Sequence, residues 1–438
     1  KISVGSTVKL FNKERNGEFV YHIVGSYETD PKAGKISDDS PLGKAMIGAK
    51  EGDKIKAESE SCRRFLAVAE KYMMLRICAL VSLVAFVFGV LIFGHSSLKA
   101  ENFKYLVKYI DKSPVLYSSF YEGIEYAGGE SAKFGLYKGD VCVFDEGLLS
   151  LYGISGKNTL RSETGIGNAS VAIGKEHLCV YGGNNNELRI YNSFSMVHSE
   201  NFDYPILLVS PADEGGYAVA TSERGYRSAV YVYNKAFIHK YTWKSADRYI
   251  FDMDISASGR YLAVISMGVE NGSPFAEASY IDTEKGSVIF TRKTEGDIPV
   301  GVNITEKDGV CFVFERSALY CDKKGNVKSE ERITGSVYSV ADGSEYTAVI
   351  SRNEGSIKSE VFLPESGIKI NAGGKINSVK FYGDRIYLLL EDRVEIYEED
   401  TLVKSAEISA GARDILIMDD GAVIVCFGSY TTLISDIT

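Results

Sequence analysis

Apolar and polar residues follow three different rhythms along this chain. In the first, VGSTVKLFNKERNGEFVYHIVG alternates apolar and polar positions on both sides of Asn16-Gly17, the pattern of two half-buried strands joined by a tight hairpin turn. DPKAGKISDDSPLGKAMIGAKEGDKIKAES follows. Here Ser40 is placed to cap a short helix, Pro41 suits its first turn, Leu42, Ala45 and Met46 form an apolar stripe, and Gly48 can end it. Glu51-Gly52-Asp53 turns the chain toward another strand.

The second rhythm is unbroken. ICALVSLVAFVFGVLIFG, Ile77 to Gly94, runs for 18 residues without a charge. At about 1.5 Å per residue such a helix rises roughly 27 Å, close to the hydrocarbon thickness of about 30 Å. Arg63, Arg64, Lys71 and Arg76 precede it, and only His95 and Lys99 follow before Glu101. The positive-inside bias therefore predicts a cytoplasmic N-terminal side and an extracytoplasmic remainder. A cleaved signal peptide and a buried core helix are the rival readings. Against them, no small-x-small site follows in FGHSSLKAE, and only Ser82 interrupts the apolar surface.

The third rhythm starts at Lys112 and repeats: a Gly-containing turn, an aliphatic run, a second turn, and a further strand ending near Tyr or another apolar residue. The turns fall at Gly139, Gly174, Gly215, Gly259, Gly309, Gly343, Gly383 and Gly421, with runs such as KGDVCVFD and DGVCFVFE. A period of about 40 residues is that of a four-stranded blade and predicts a closed β-propeller of seven or eight blades. The expected organisation is mainly β: a small α+β domain over 1–59, a basic juxtamembrane segment 60–76, a transmembrane helix 77–94, a linker 95–111 and a propeller 112–438.

Composition agrees with folded domains rich in strands and turns: 45% hydrophobic, 25% charged, 28 Tyr and 43 Gly. A net charge of −10 excludes a general nucleic-acid binder, which needs a basic surface to displace counterions from phosphates. Seven cysteines contain no CxxC pair, so neither a zinc site nor a disulfide scaffold is signalled. A chain that opens on Lys1 rather than Met reads as a fragment or processed product.

Two family resemblances add to this. Val4-Gly5-Ser6, Ile23-Val24-Gly25, Asp30-Pro31, Gly34-Lys35-Ile36-Ser37, Ser40-Pro41-Leu42-Gly43-Lys44-Ala45, Gly48 and Gly52-Asp53 resemble the C-terminal domain of the GreA/GreB transcript-cleavage factors, an FKBP-like α+β fold. That resemblance implies docking on RNA polymerase, with Asp30, Pro31, Gly34, Ile36, Ser37, Ser40, Pro41, Leu42 and Gly43 as the candidate contact residues. The family's N-terminal coiled coil, whose acidic tip promotes RNA cleavage, has no counterpart here. The family's last strand is expected to be missing, since SESCRRFLAVAEKYMML stands in its place. ISASGRYLAVISM, Ile255 to Met267, resembles the blade signature of WD40-like or YVTN-like propellers, although no Trp-Asp dipeptide occurs and Trp243 is the single tryptophan. From residue 62 onward the chain looks like a clostridia-type family of single-pass membrane proteins with an extracytoplasmic propeller.

Chemistry is sparsely signalled. His22, His95, His177, His198 and His239 form no HxxxH or HExxH and read as isolated histidines rather than metal ligands; no cofactor is implied. GxSxG, P-loop and GxGxxG patterns are absent. Asp252 and Asp254, two apart on a strand, point to one face, and read as a solvated pair at the channel mouth, as paired carboxylates or as a pair that holds a cation. Cys311 and Cys321 stand opposite each other if Glu315, Arg316 and Ser317 form a three-residue loop, which would permit a disulfide. A two-residue loop would place Cys311 opposite Tyr320.

These features predict a composite chain with no catalytic residues: a polymerase-binding module joined to a membrane-anchored propeller that binds a protein or envelope ligand without catalysis. The alternative is an extracytoplasmic hydrolase or lyase, with the N-terminal part a non-functional fusion or two merged coding sequences. The junction's position inside a fold favours merging.

Overall fold

The computed structural model describes residues 1–13, 16–57, 74, 76–86, 121, 123–126, 128–129, 131–153, 155–183, 185–343 and 345–434. The chain divides into two compact units, Lys1–Asp111 and Lys112–Thr438.

In the first unit, β1 (Thr7–Asn12) and β2 (Gly17–Val24) form the expected antiparallel pair, and β3 (Lys35–Ser37) lies parallel to β2 with Ile23 opposite Ile36. Helix α1 (Pro41–Met46) begins where the sequence places it, because Ser40 Oγ accepts from the Gly43 N–H at 3.0 Å and Pro41 occupies the first turn. Among the described residues, Ile23 of β2 and Met46 of α1 are the unit's fully buried large apolar side chains, a small core.

Residues 76–86 are helical, with Ile77, Leu80 and Phe86 at 55%, 64% and 69% exposure. Among the described residues no helix is long and apolar enough to cross a membrane. The expected span 77–94 is thus seen only as far as residue 86; residues 87–94, the linker and nearly all of the juxtamembrane segment lie outside the described residues.

The second unit settles the blade number at eight. Seven four-stranded antiparallel sheets cover residues 133–163, 169–201, 206–245, 248–295, 299–332, 336–371 and 378–407 (blades 1 to 7), and a three-stranded sheet covers 414–434 (blade 8). The first strand of each blade touches the first strand of the next, and that of blade 8 touches that of blade 1, closing a ring. The fourth place in blade 8 is taken by the start of the unit: Tyr126 N–H donates to the Ser429 carbonyl and Thr431 N–H to the Ile124 carbonyl, both at 2.9 Å. This clasp joins the two ends of the ring.

The core is a set of seams rather than one centre. Eight apolar clusters lie between successive blades. Alternate residues of one strand serve different seams. Val310, Phe312 and Phe314 pack between blades 4 and 5, whereas Cys311 and Val313 pack between blades 5 and 6. Burial on both faces is why these strands read as continuous apolar runs, and each large side chain so buried is worth roughly 1.5–3 kcal/mol.

Candidate functional site

The first strands of blades 2 to 6 and the turns that follow them enclose a cavity of about 460 Å³. Its acidic lining is Asp213, Asp252, Asp254, Glu306 and Asp342, drawn from four blades, with Lys175 as a cation. Lys175 Nζ reaches Asp213 Oδ2 at 2.7 Å and Glu306 Oε1 at 3.2 Å, so an ammonium group bridges blades 3 and 5 at the mouth. Those two carboxylates hold Lys175 above its ordinary pKa.

Asp252 and Asp254 do share one face, and both are occupied. Asp252 Oδ2 accepts from the Val302 N–H at 3.0 Å, and Asp254 Oδ2 from the Ile304 N–H at 2.7 Å. Asp254 Oδ1 takes Ser210 Oγ at 2.9 Å and its own neighbour Ile255 N–H at 2.8 Å. The two carboxylates thereby satisfy edge N–H groups of blade 5 that no adjoining strand pairs, and Asp254 also ties blade 3 to blade 4. Desolvation pushes both carboxyls up to about 6, with the backbone donors pulling the other way. Asp342, exposed at the end of its strand, joins them from blade 6; partial loss of water inside the cavity, and then the charges of Asp254 and Asp252, raise it above the usual carboxylate range. Among the described residues its carboxylate accepts no hydrogen bond, and no group of three or more His, Cys, Asp or Glu is arranged to hold a metal ion.

The nine residues expected to contact a polymerase form one continuous loop and helix start. Asp30 Oδ1 caps a single 3-10 turn by accepting from Lys32 and Ala33 N–H at 3.1 and 3.3 Å, Pro31 begins that turn, and Gly34 ends it at φ 74°. Ile36 and Ser37 belong to β3, and Ser40 Oγ donates to the Ser37 carbonyl at 2.6 Å. Gly43 sits so close to β3 that a Cβ there would lie 2.0 Å from the Ser37 carbonyl oxygen. Most of these residues therefore build the loop. Of the nine, Asp30, Pro31 and Pro41 are exposed, as is the neighbouring Tyr27, which is fully exposed.

Two expectations are corrected. Strands Val310–Phe314 and Ser317–Cys321 are joined by the two-residue loop Glu315-Arg316, so Cys311 faces Tyr320 and Cys321 faces Val310. The two thiols are free, buried, and in different seams; no disulfide links them. The histidines are also less scattered than their spacing implies. His177 and His198 both pack on Phe237, with ring centroids 5.4 and 4.5 Å away, and Glu200 beside them accepts from the hydroxyls of Tyr217 and Tyr233 at 3.0 Å each.

Residues 118–432 match the model of a family of unknown function, DUF5711. The chain belongs to the DUF5711 family. Residues 1–69 separately match the family "Transcription elongation factor, GreA/GreB, C-term", a match that runs past the boundary at residue 59 read from the sequence. Within that part the chain is 50% identical over 58 residues to the transcription elongation factor GreA of Thermoanaerobacter pseudethanolicus, and 52% identical over 58 residues to that of Caldanaerobacter subterraneus subsp. tengcongensis. Each alignment covers 13% of this chain and 37% of the relative, so the chain spans little more than a third of these factors' length. The DUF5711 region is similar in fold to BamB from Moraxella catarrhalis (TM-score 0.46, 11% identity, 71% of this chain and 95% of that one). It is also similar to the dihydro-heme d1 dehydrogenase NirN (TM-score 0.47, 15% identity, 65% and 67%). The ring and its eight blades stand on the hydrogen-bonded sheets of the DUF5711 region itself.

Asp213, Glu306, Asp342 and Lys175 were not singled out from the sequence. They share one signal: each lies at or just past the end of a first strand, the place in every unit that faces this end of the ring.

Proposed function

We propose that the chain is a membrane-anchored adaptor of two binding modules. Residues 1–59, read as an FKBP-like domain, would bind RNA polymerase in the cytoplasm; residues 77–94 cross the membrane; and the propeller is a non-enzymatic, extracytoplasmic scaffold for a protein or cell-envelope ligand. The observation that carries this reading is the helix at residues 76–86, which belongs to the first unit and leaves Ile77, Leu80, Val81, Leu83 and Phe86 each more than half exposed. So apolar a surface left bare is costly in water and favoured in lipid. The GreA/GreB family match supports the polymerase partner. The scaffold role is supported by the engagement of Asp252 and Asp254 with backbone N–H groups, which uses them as ties between blades.

Incubating inside-out vesicles bearing the full chain with purified core RNA polymerase tests the first half. Saturable retention, weakened by Tyr27→Ala with Pro31→Ala, is expected; equal retention by vesicles lacking the chain would sink it. A DNA read across the codons for Ile55 to Met74 separates a genuine fusion from merged coding sequences.

A second reading, an extracytoplasmic hydrolase or lyase, is favoured by one observation. Asp342 stands in the cavity with a raised pKa and no hydrogen-bond donor among the described residues, as a general acid would. Turnover of a glycan or polyuronate by the full chain that is lost in Asp342→Asn would establish it in place of the scaffold.

A further inference from the structure

Blades 6, 7 and 8 carry a groove of about 1140 Å³ at the end of the ring where first strands turn into second strands. Its floor is apolar and aromatic: Tyr346, Leu363, Ile368, Phe381, Tyr382 and Leu402. Tyr382 and Leu402 remain 37% and 49% exposed, and Val403 beside them is also 49% exposed. Such a patch is uncommon on a surface that meets only water. The volume exceeds the roughly 300–1,000 Å³ of ordinary small-molecule pockets and suits a stretch of polypeptide.

Charge decides what kind. The turns at this end of blades 6 to 8 hold Asp384, Glu399, Asp400, Asp419 and Asp420, with Glu345 paired to Lys307 of blade 5 at 3.3 Å, and contain neither lysine nor arginine of their own. The same end of blades 1 to 5 is mixed, with Lys138, Lys175, Lys235, Lys285 and Lys307 in the corresponding turns. Within the groove lining, Arg385 is the cation, and Glu398 already holds it at 2.9 Å. Asp384 and Glu399 line the same opening, as does Asp420, whose Oδ1 accepts from the Ala422 N–H at 3.1 Å. One sector of an otherwise mixed face is therefore acidic, around an apolar floor.

We propose that this groove is the propeller's docking surface and that its partner is a cationic polypeptide segment in which lysine or arginine flanks large apolar side chains. The apolar residues would cover Tyr382, Leu402 and Val403, and the cations would face Asp384 and Glu399. An anionic bilayer surface is excluded as occupant by the same acidic rim, which it would repel. The assignment rests on the reading of the propeller as a binding scaffold and names the surface and partner class of that reading.

The test is fluorescence anisotropy with the full chain in detergent micelles and three synthetic peptides: one with lysines flanking a Leu-Phe pair, one with those lysines replaced by glutamine, and one with Leu-Phe replaced by Ser-Ser. The first is expected to bind at least about tenfold more tightly than either control, corresponding to about 1.4 kcal/mol, and to weaken as salt shortens the Debye length. Asp384→Lys with Glu399→Lys lowers its affinity at least about tenfold, Leu402→Ser also weakens it, and Glu176→Lys on blade 2 leaves it unchanged. Equal binding of the lysine and glutamine peptides, or affinity untouched by the double charge reversal, would overturn the assignment. Neither result bears on whether the propeller is a scaffold at all, because that reading fails instead on turnover lost in Asp342→Asn.

Discussion

The backbone N–H of Ile304 in blade 5 donates to Asp254 Oδ2 of blade 4 at 2.7 Å. Carboxylates that serve as ties between blades, yet sit in a cavity that raises them to about 6, make ring stability depend on pH in a definite direction. For each group the folded pKa of about 6 lies above the ordinary 3.8. The folded chain therefore binds protons more tightly than the unfolded chain between those values. The stabilisation is fully present below 3.8 and is lost as pH rises through about 6.

Asp252→Asn with Asp254→Asn should flatten that fall. An amide oxygen still accepts from Val302 and Ile304 without carrying a desolvated charge, so thermal unfolding of the variant should vary less between pH 4 and 7 than wild type, by on the order of 2–3 kcal/mol for each group replaced. Asp254→Ala should instead cost about 1–3 kcal/mol at every pH, because the Ile304 N–H and Ser210 lose their partner. Parallel pH profiles for wild type and the double asparagine variant would contradict this.

Gly43→Ala should unfold the first unit. The added Cβ would meet backbone, the Ser37 carbonyl oxygen at 2.0 Å, which cannot rotate away, and overpacking of this kind costs about 1–3 kcal/mol or more against a core in which, among the described residues, Ile23 and Met46 are fully buried. Hydrogen exchange should accelerate across Thr7–Ser37 and leave the propeller unchanged. Gly48→Ala, with open space around its Cβ position, reports the backbone strain of φ 86° alone and should cost about 1 kcal/mol.

Thr431→Val should loosen the clasp. Thr431 Oγ1 accepts from the Ile124 N–H at 3.1 Å and also bonds the Tyr121 hydroxyl. Removing it leaves a buried N–H unpaired, at about 1–3 kcal/mol. Exchange should rise at residues 123–126 and 431–434 and stay low in blades 3 to 6.

Thiol labelling of the native chain should spare Cys142, Cys179, Cys311, Cys321 and Cys426, which are buried and free. Burial pushes Cys142 and Cys179 up to about 12 and Cys321 to about 11, so the reactive thiolate is scarce at neutral pH. In denaturant all five should label without prior reduction; a requirement for reductant at Cys311 and Cys321 would restore the disulfide.

Much of this was legible in the sequence, for physical reasons that also mark where legibility ended. DGVCFVFE reads as a strand buried on both faces because Cys311 and Phe312 feed different seams. Asp252 and Asp254 read as one face because strand periodicity is two. The blade count stayed open because blade 8 borrows residues 124–126 for its last strand, and because ten-residue strands at Tyr261–Glu270 and Ser273–Asp282 stretch blade 4. The Cys311 register stayed open because periodicity does not fix loop length. Asp342 joins the cavity from blade 6, a juxtaposition that ring closure creates and local sequence does not encode.

The measurement that tests the account most directly is sidedness. In a chain with Cys62 and Cys78 replaced by serine, a membrane-impermeant maleimide is applied to intact spheroplasts carrying either Glu28→Cys or Asp384→Cys. The account predicts that both variants sediment with membranes, that Asp384→Cys labels at once, and that Glu28→Cys labels only after lysis. Labelling of Glu28→Cys in intact spheroplasts, protection of Asp384→Cys until lysis, or recovery of the chain in the soluble fraction would contradict it.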